Sequence, residues 1–224
     1  MLLIGPSGSG KTHRVLAEFE AALAVTDPTR VKLVVPTASM AEHLQHDLAR
    51  RGRVVQPGSI LPFGAYVAAL TPGCVEATAT TQALLIEQAI EAAGARELNA
   101  VSAYPGFHAK LLDTIQEFGS ASASDPASPK RLWKGKAAPL AEAFWRVMEI
   151  FRRKMRDAGL VSRSERILLA ATEARKQKPE VVLLDGFFNF TAVEIELVQA
   201  LAATAQKVVV TLPENDGGPS RDAR

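Results

Sequence analysis

The residues best suited to chemistry begin at the fifth position of the chain. Residues 5–12 read GPSGSGKT, the pattern G-x-x-x-x-G-K-T, directly after the apolar run at residues 1–4. Glycines at these spacings allow positive φ and remove Cβ atoms, so successive backbone N–H groups can surround a phosphate. The segment predicts a phosphate-binding loop (P-loop) opening a helix near Lys11, whose alternative is a Gly/Ser-rich turn that binds nothing. The residues predicted to bind ATP are Gly5, Ser7, Gly8, Ser9, Gly10, Lys11 and Thr12.

A second candidate lies near the end of the chain, where Val182, Leu183 and Leu184 precede Asp185. An acid at the carboxyl end of a buried strand beside such a loop holds magnesium through its water shell. Together with the Thr12 hydroxyl, Asp185 is therefore the predicted partner of Mg²⁺. The next residue is Gly186, which cannot act as a general base. The sequence thus favours nucleotide binding and leaves hydrolysis unsupported.

Composition limits the class of protein. The chain has 224 residues, of which 47% are hydrophobic and 22% charged, enough for one large or two small domains. No apolar run approaches the roughly 20 residues that span a membrane, and no signal peptide precedes the loop. The single cysteine excludes an internal disulfide and a Cys-rich zinc site. These features predict a cytoplasmic protein without a membrane partner.

Charge is distributed unevenly along the chain. Residues 130–178 contain 14 Lys and Arg against 5 Asp and Glu, a net charge of +9, whereas residues 1–129 carry −3 and residues 179–224 carry −4. A basic block of this size indicates either a polyanionic partner or a solvated helical face. Arg152, Arg153 and Arg156 belong to this block.

Hydrophobic periodicity predicts an α/β fold with a parallel sheet and crossover helices. Strands are expected at residues 1–4, 32–35, 54–60, 181–185 and 207–212. Between about residues 63 and 174 only helices are expected, with a low-complexity loop at 119–126 and Pro139 at the first position of a long helix. Capping boxes that begin helices are predicted at Ser39/Glu42, Ser162/Glu165 and Thr191/Glu194.

The order of these pieces resembles a known family. VPTASMAE at residues 35–42, SILPF at 59–63 and LDGFFNFT at 184–191 follow the loop in turn. This arrangement is similar to the N-terminal helicase-like domain of the AddB-type subunit of bacterial helicase–nuclease complexes, within superfamily 1. The D-G-F-x-x-F-T-x-x-E stretch is the most specific point of similarity after the loop.

The resemblance implies a P-loop NTPase (RecA-like) core at 1–65 and 179–212, a helical 1B-like insertion at 66–178 and a polar tail at 213–224. It also implies DNA, as single strands or duplex ends, and a helicase–nuclease partner subunit. The residues expected to bind DNA are Thr37 and Phe63, from their motifs, and Arg152, Arg153 and Arg156, from the basic block.

Simpler interpretations stand beside these assignments. Thr37 could be only a turn or cap residue, and core packing is favoured for Phe63, Phe187, Phe188 and Phe190. The chain ends after the last core strand, without a second RecA-like domain or a nuclease domain, so unwinding by this chain alone is not expected. Two other functions remain open: a P-loop kinase or phosphotransferase, and a non-hydrolysing ATP-binding scaffold.

Overall fold

The computed structural model describes residues 1–121, 138–177 and 179–214. The strands within these ranges are β1 (Leu2–Gly5), β2 (Val31–Val35), β3 (Ile60–Pro62), β4 (Val75–Glu76), β5 (Leu160–Val161), β6 (Val181–Leu184) and β7 (Lys207–Pro213). The α-helices are α1 (Lys11–Val25), α2 (Ala38–Arg50), α3 (Phe63–Leu70), α4 (Ala79–Ala93), α5 (Pro105–Ala121), α6 (Ala138–Asp157), α7 (Arg163–Lys176) and α8 (Ala192–Thr204).

Five strands form one parallel sheet in the order β1-β7-β6-β2-β3. The chain leaves β1, crosses over to β2 and β3, and returns through β6 and β7, which fill the gap between β1 and β2. All four residues of β6 are buried, as in a strand covered on both faces. The predicted α/β fold with a parallel sheet is confirmed.

Helix α1 begins at Lys11, and its buried face repeats at helical spacing. Val15, Phe19 and Ala22 pack into the same core as residues of β2 and β6. This face holds the helix against the sheet and fixes where its first turn lies.

The predicted capping box of α2 is wrong. Thr37 rather than Ser39 is the N-cap, and its hydroxyl accepts the backbone N–H of Met40 at 3.2 Å. Thr37 has the extended backbone conformation that an N-cap residue requires. The helix therefore begins earlier than the S-x-x-E pattern indicated. The boxes at Ser162/Glu165 and Thr191/Glu194 are confirmed.

The third strand is shorter than predicted. Only Ile60–Pro62 pairs with β2, because Pro57 lacks an N–H and Gly58 turns the chain at φ +79°. Helix α3, which follows immediately, was not predicted. The range 63–174, expected to contain only helices, also contains two strands of two residues each, β4 and β5. These strands are too short to produce a periodic signal in the sequence.

Part of the predicted low-complexity loop is helical. Helix α5 continues through Ala121, although Gly and Ser are weak helix formers. The Ser120 hydroxyl lies 3.0 Å from that of Ser164, a tertiary contact that sequence periodicity cannot reveal. Residues 122–126 lie outside the described ranges. Pro139 is the second residue of α6, one position later than expected, and Pro213, expected in the tail, is the last residue of β7.

The chain divides into two compact units. The sheet unit comprises Met1–Leu70, Thr172–Phe190 and the residues from Val198 onward; the helical unit comprises Thr71–Ala171 and Thr191–Leu197. The helical unit has its own core, in which α4 packs on α6 beside an aromatic group of Phe118, Phe144 and Trp145. No helix in the described parts of the chain has the length and apolarity needed to cross a membrane.

Candidate functional site

The residues predicted to bind ATP and Mg²⁺ meet at the carboxyl edge of the parallel sheet. The glycine-rich loop follows β1, and Asp185 follows β6, with β7 between the two strands. Ligands of open α/β sheets bind at this edge. A cavity of about 340 Å³, here called the loop cavity, is lined by Ser7, Gly8, Ser9, Gly10, Lys11, Thr12, Asp185, Gly186, Phe187, Phe188, Thr211, Leu212 and Pro213.

The loop has the backbone geometry that its glycines permit. Gly8 and Gly10 adopt φ values of +78° and +80°, a left-handed conformation that costs side-chain-bearing residues about 1–2 kcal/mol. Gly10 is the N-cap of α1 and supplies no side-chain cap. The first-turn amides of α1 are therefore left to a ligand or solvent, and they carry the positive end of the helix dipole.

The Lys11 ammonium folds back over the loop. Its Nζ donates hydrogen bonds to the carbonyl oxygens of Gly5 at 2.5 Å and Pro6 at 2.8 Å, and to Ser9 Oγ at 3.4 Å. These contacts fix a positive charge at the mouth of a loop that already presents backbone donors. The combination suits an anion with several oxygens, such as a phosphate chain.

Asp185 is 1% exposed and has two unequal carboxylate oxygens. Oδ1 accepts a hydrogen bond of 2.6 Å from the hydroxyl of Thr211 on the neighbouring strand β7. Oδ2 is buried and has no hydrogen-bond partner among the described residues. A buried anionic oxygen without a partner is costly, so this atom is suited to a cation or to a water bound to one.

The oxygen donors of the loop cavity fit magnesium. Thr12 supplies a hydroxyl and Asp185 a carboxylate, and Mg²⁺ favours one or two carboxylates together with water and substrate phosphates. Within the described ranges no group of three His, Cys, Asp or Glu side chains could hold a metal by itself. The site therefore suits a cation that arrives with phosphate oxygens, not one held in an all-protein cage.

Gly186 cannot be replaced by a larger residue without rearrangement. It adopts φ +83°, and a Cβ at this position would lie 2.6 Å from Cε and 2.7 Å from Sδ of Met40. The side chain of Met40 thus occupies the space beside the carboxyl end of β6. No other carboxylate accompanies Asp185 in the described lining of the loop cavity, and Glu194 is engaged by the N–H of Thr191 at 2.9 Å.

None of the predicted DNA-binding residues is among the described residues that line the loop cavity. Thr37 is exposed and caps α2, while Phe63 is 3% exposed, as its packing interpretation predicted. In the helical unit, Arg152 is half-buried, whereas Arg153 and Arg156 are exposed on α6. Five of the 14 basic residues of the block, Lys130, Arg131, Lys134, Lys136 and Lys178, lie outside the described ranges.

The phenylalanines after Gly186 have different environments. Phe187 packs edge-on against Phe63 at 5.8 Å between ring centroids and stacks on Phe190 at 4.8 Å. The core interpretation is wrong for Phe188, which is 82% exposed at the rim of the loop cavity.

Sequence analysis missed two residues that shape this site. Thr211 lies inside the last predicted strand, to which no functional role was assigned, and Met40 lies in α2, which follows β2. Neither has a local signal of function, because their roles depend on strand order. No protein-family model matches this chain, and no curated protein is significantly similar to it in sequence.

Proposed function

We propose that this chain is the ATP-binding, helicase-like module of a helicase–nuclease that repairs DNA double-strand breaks. In this proposal the sheet unit is a RecA-like P-loop core and the helical unit is its 1B-like insertion. The observation that carries the proposal is the loop cavity, in which the glycine-rich loop, Lys11, Thr12 and the buried Asp185 line one space.

The loop would hold the triphosphate of ATP. Its left-handed glycines and the uncapped first turn of α1 supply backbone donors, and the Lys11 ammonium supplies charge. A bound phosphate chain would replace part of the ammonium contacts to Pro6 and Ser9. The oxygens of Pro6 and Ser9 are neutral acceptors, whereas phosphate oxygens are negatively charged, so the Lys11 ammonium interacts more strongly with a phosphate and the exchange is favoured.

Thr12 and Asp185 would hold Mg²⁺. When bound, the ion would neutralise charge on the phosphate oxygens. Asp185 contributes the partnerless Oδ2, while Thr211 orients the carboxylate through Oδ1. The proposed magnesium site thus rests on two oxygen donors of this chain, the Thr12 hydroxyl and the Asp185 carboxylate.

Binding without turnover is the expected behaviour of the isolated chain. Hydrolysis requires a group that orients the attacking water, and the residue after Asp185 is a glycine packed against Met40. A second candidate function, a non-hydrolysing ATP-binding scaffold, is favoured by this same contact. DNA binding distinguishes it from the helicase-like module.

The basic block would contact the DNA backbone. Arg152, Arg153 and Arg156 lie on one helix and would neutralise phosphates without reading base sequence, so affinity should fall steeply with salt. A complete motor would need the partner subunit and the domains that the resemblance implies.

Calorimetric titration with ATP, with and without Mg²⁺, tests the nucleotide site. Lys11→Ala and Asp185→Asn should each weaken Mg·ATP binding by about tenfold or more, because each removes a charged contact. Asp185→Asn should also abolish the gain in affinity that Mg²⁺ provides. Lys110→Ala is the matched control, since this lysine is exposed and, among the described residues, forms an ion pair only with Asp113 on its own helix.

Each proposed activity has its own failing result. Wild-type protein that binds no Mg·ATP, or a Lys11→Ala variant that binds it equally well, would reject the nucleotide site. Wild-type protein that binds ATP but no DNA at low salt would reject the helicase-like module and support the ATP-binding scaffold. Phosphate transfer to a small molecule without any effect of DNA would instead support a kinase.

A further inference from the structure

A second cavity, of about 510 Å³, lies within the helical unit and is unrelated to the loop cavity. We propose that it binds one nucleoside phosphate unit, presented either by a single DNA strand or as a free nucleotide. This inference rests on the proposed DNA-binding function and assigns a defined pocket to it. This space is here called the arginine cavity, because Arg152, Arg156 and Arg163 are among the residues that line it.

Three arginines give the cavity its charge. Arg152 and Arg156 are four residues apart on α6 and share one face of the helix, and Arg163 is the first residue of α7. None of the three has an ion pair or a side-chain hydrogen bond with another described residue. By contrast, Arg166 is engaged by Glu76 at 3.5 Å and by Thr71 at 3.0 Å.

The acidic residues of the cavity are already occupied. Glu76 is held by Arg166, and the Oε2 of Glu165 accepts the backbone N–H of Ser162 at 2.8 Å and its hydroxyl at 2.9 Å. The guanidinium groups of Arg152, Arg156 and Arg163 therefore outweigh the negative charge around them. An anionic ligand would supply the missing counter-charge.

The remaining lining is apolar or amide-bearing. Ile115, Phe151, Met155 and Leu168 form the apolar part. Gln82 is 8% exposed; its side chain donates to the carbonyl of Ala77 at 2.8 Å and accepts from Gln116 at 2.8 Å. These bonds fix the amides in place, so the wall of the cavity is preformed.

A nucleoside phosphate matches both halves of this lining. The planar guanidinium fork binds phosphate oxygens in pairs, which makes arginine the preferred residue for phosphate recognition. The sugar and base have apolar faces that suit the aliphatic and aromatic side chains. The volume falls within the range of small-ligand pockets, so it accommodates one unit and not a duplex.

The experiment separates the arginine cavity from the general charge of α6. All proteins carry Lys11→Ala, so that binding of the probes to the loop cavity is weakened. The probes are a fluorescent oligothymidylate, thymidine monophosphate and inorganic phosphate. Arg152→Gln and Arg156→Gln alter the cavity, and Arg146→Gln is the matched control, because Arg146 is exposed on the same helix but does not line the cavity.

The expected result is selective. Arg152→Gln and Arg156→Gln should each weaken oligothymidylate binding about tenfold and reduce its salt slope, while Arg146→Gln changes affinity less than about threefold. Arg152→Lys should have an oligothymidylate affinity between that of the protein with Arg152 and that of Arg152→Gln, because lysine keeps the positive charge but lacks the planar guanidinium group. Thermal unfolding of each variant checks that the helical unit is intact.

The probes identify the source of the phosphate. Thymidine monophosphate that competes with the oligonucleotide indicates a cavity that accepts a free nucleotide; oligonucleotide binding without such competition indicates a site for the strand. Equal losses of oligothymidylate affinity in all three glutamine variants would overturn the proposed cavity site. They would not contradict the proposed binding of DNA. An acidic peptide that binds where both nucleotide probes fail would also overturn it, and neither result bears on ATP binding through Lys11.

Discussion

The hydroxyl of Thr211 donates a 2.6 Å hydrogen bond to Oδ1 of Asp185 across the neighbouring strands β7 and β6. The same hydroxyl accepts the backbone N–H of Gly186 at 3.2 Å. Both hydrogen-bonding roles of Thr211 are therefore used to orient the turn after β6. Because Oδ1 is engaged in this way, Oδ2 is the oxygen that Asp185 offers to a ligand.

Replacing Thr211 should weaken the site and the fold together. Thr211→Val keeps the shape but removes the hydroxyl, leaving a buried carboxylate without its donor, and should cost about 1–3 kcal/mol of unfolding free energy. Mg·ATP affinity should fall about tenfold, whereas Thr211→Ser should retain both properties. Urea unfolding and calorimetry provide the two measurements. A folded Thr211→Val protein with unchanged Mg·ATP affinity would contradict the orienting role.

The contact between Gly186 and Met40 predicts a compensating pair. Gly186→Ala should destabilise the protein by about 1–2 kcal/mol, because a residue with a side chain is strained at φ +83° and its Cβ would also force the Met40 side chain to move. In a Met40→Ala background the steric part of this cost should disappear, while the backbone strain at φ +83° remains. Gly58→Ala is the control, because Gly58 adopts φ +79° but a Cβ there meets no atom within 4 Å. Additive effects of the two substitutions in urea unfolding would show that the contact is unimportant.

Phe63 and Phe188 should respond in opposite ways to truncation. Phe63 is 3% exposed and Phe188 is 82% exposed. Phe63→Ala should cost about 3–5 kcal/mol of stability, as buried aromatic residues do, and Phe188→Ala should change stability by less than about 0.5 kcal/mol. Chemical denaturation measures both. Similar losses in the two variants would mean that Phe188 is packed in solution.

The ion pair between Glu18 and Lys207 predicts a pH dependence. The Lys207 ammonium, 2.5 Å from Glu18, lowers the pKa of that carboxyl below its usual value of 4.5. A lowered folded-state pKa means that the stabilisation is complete above pH 4.5 and is lost as the pH falls through the folded-state value. Both side chains are partly exposed, so the pair contributes less than about 1 kcal/mol.

Glu18→Gln tests this dependence. The variant should be slightly less stable than the wild type at pH 7, and the difference should shrink as the solution is acidified, because protonation removes the charge from Glu18 in the wild type as well. Thermal unfolding at a series of pH values provides the measurement. A stability difference that grew toward acid would mean that the pKa of Glu18 is raised and that the sign is wrong.

Much of the sheet unit could be predicted from local patterns. Runs of β-branched and aliphatic residues predicted the strands, and the glycine spacing predicted where α1 begins. Predictions failed where a non-local contact decided the outcome. Ser120, in a stretch poor in helix formers, is helical and meets Ser164, and Ser39 lost its capping role because Thr37 was already in position.

The sequence by itself determined the glycine-rich loop, the helix that follows it and the acid after β6, because each depends on residues that are neighbours along the chain. Only the tertiary structure decided that β7 lies between β1 and β6, and so that Thr211 rather than a residue near the loop orients Asp185. Strand order also brought Met40 against Gly186. Such pairings depend on which apolar faces pack together across the sheet, and a local pattern of residues carries no record of that choice.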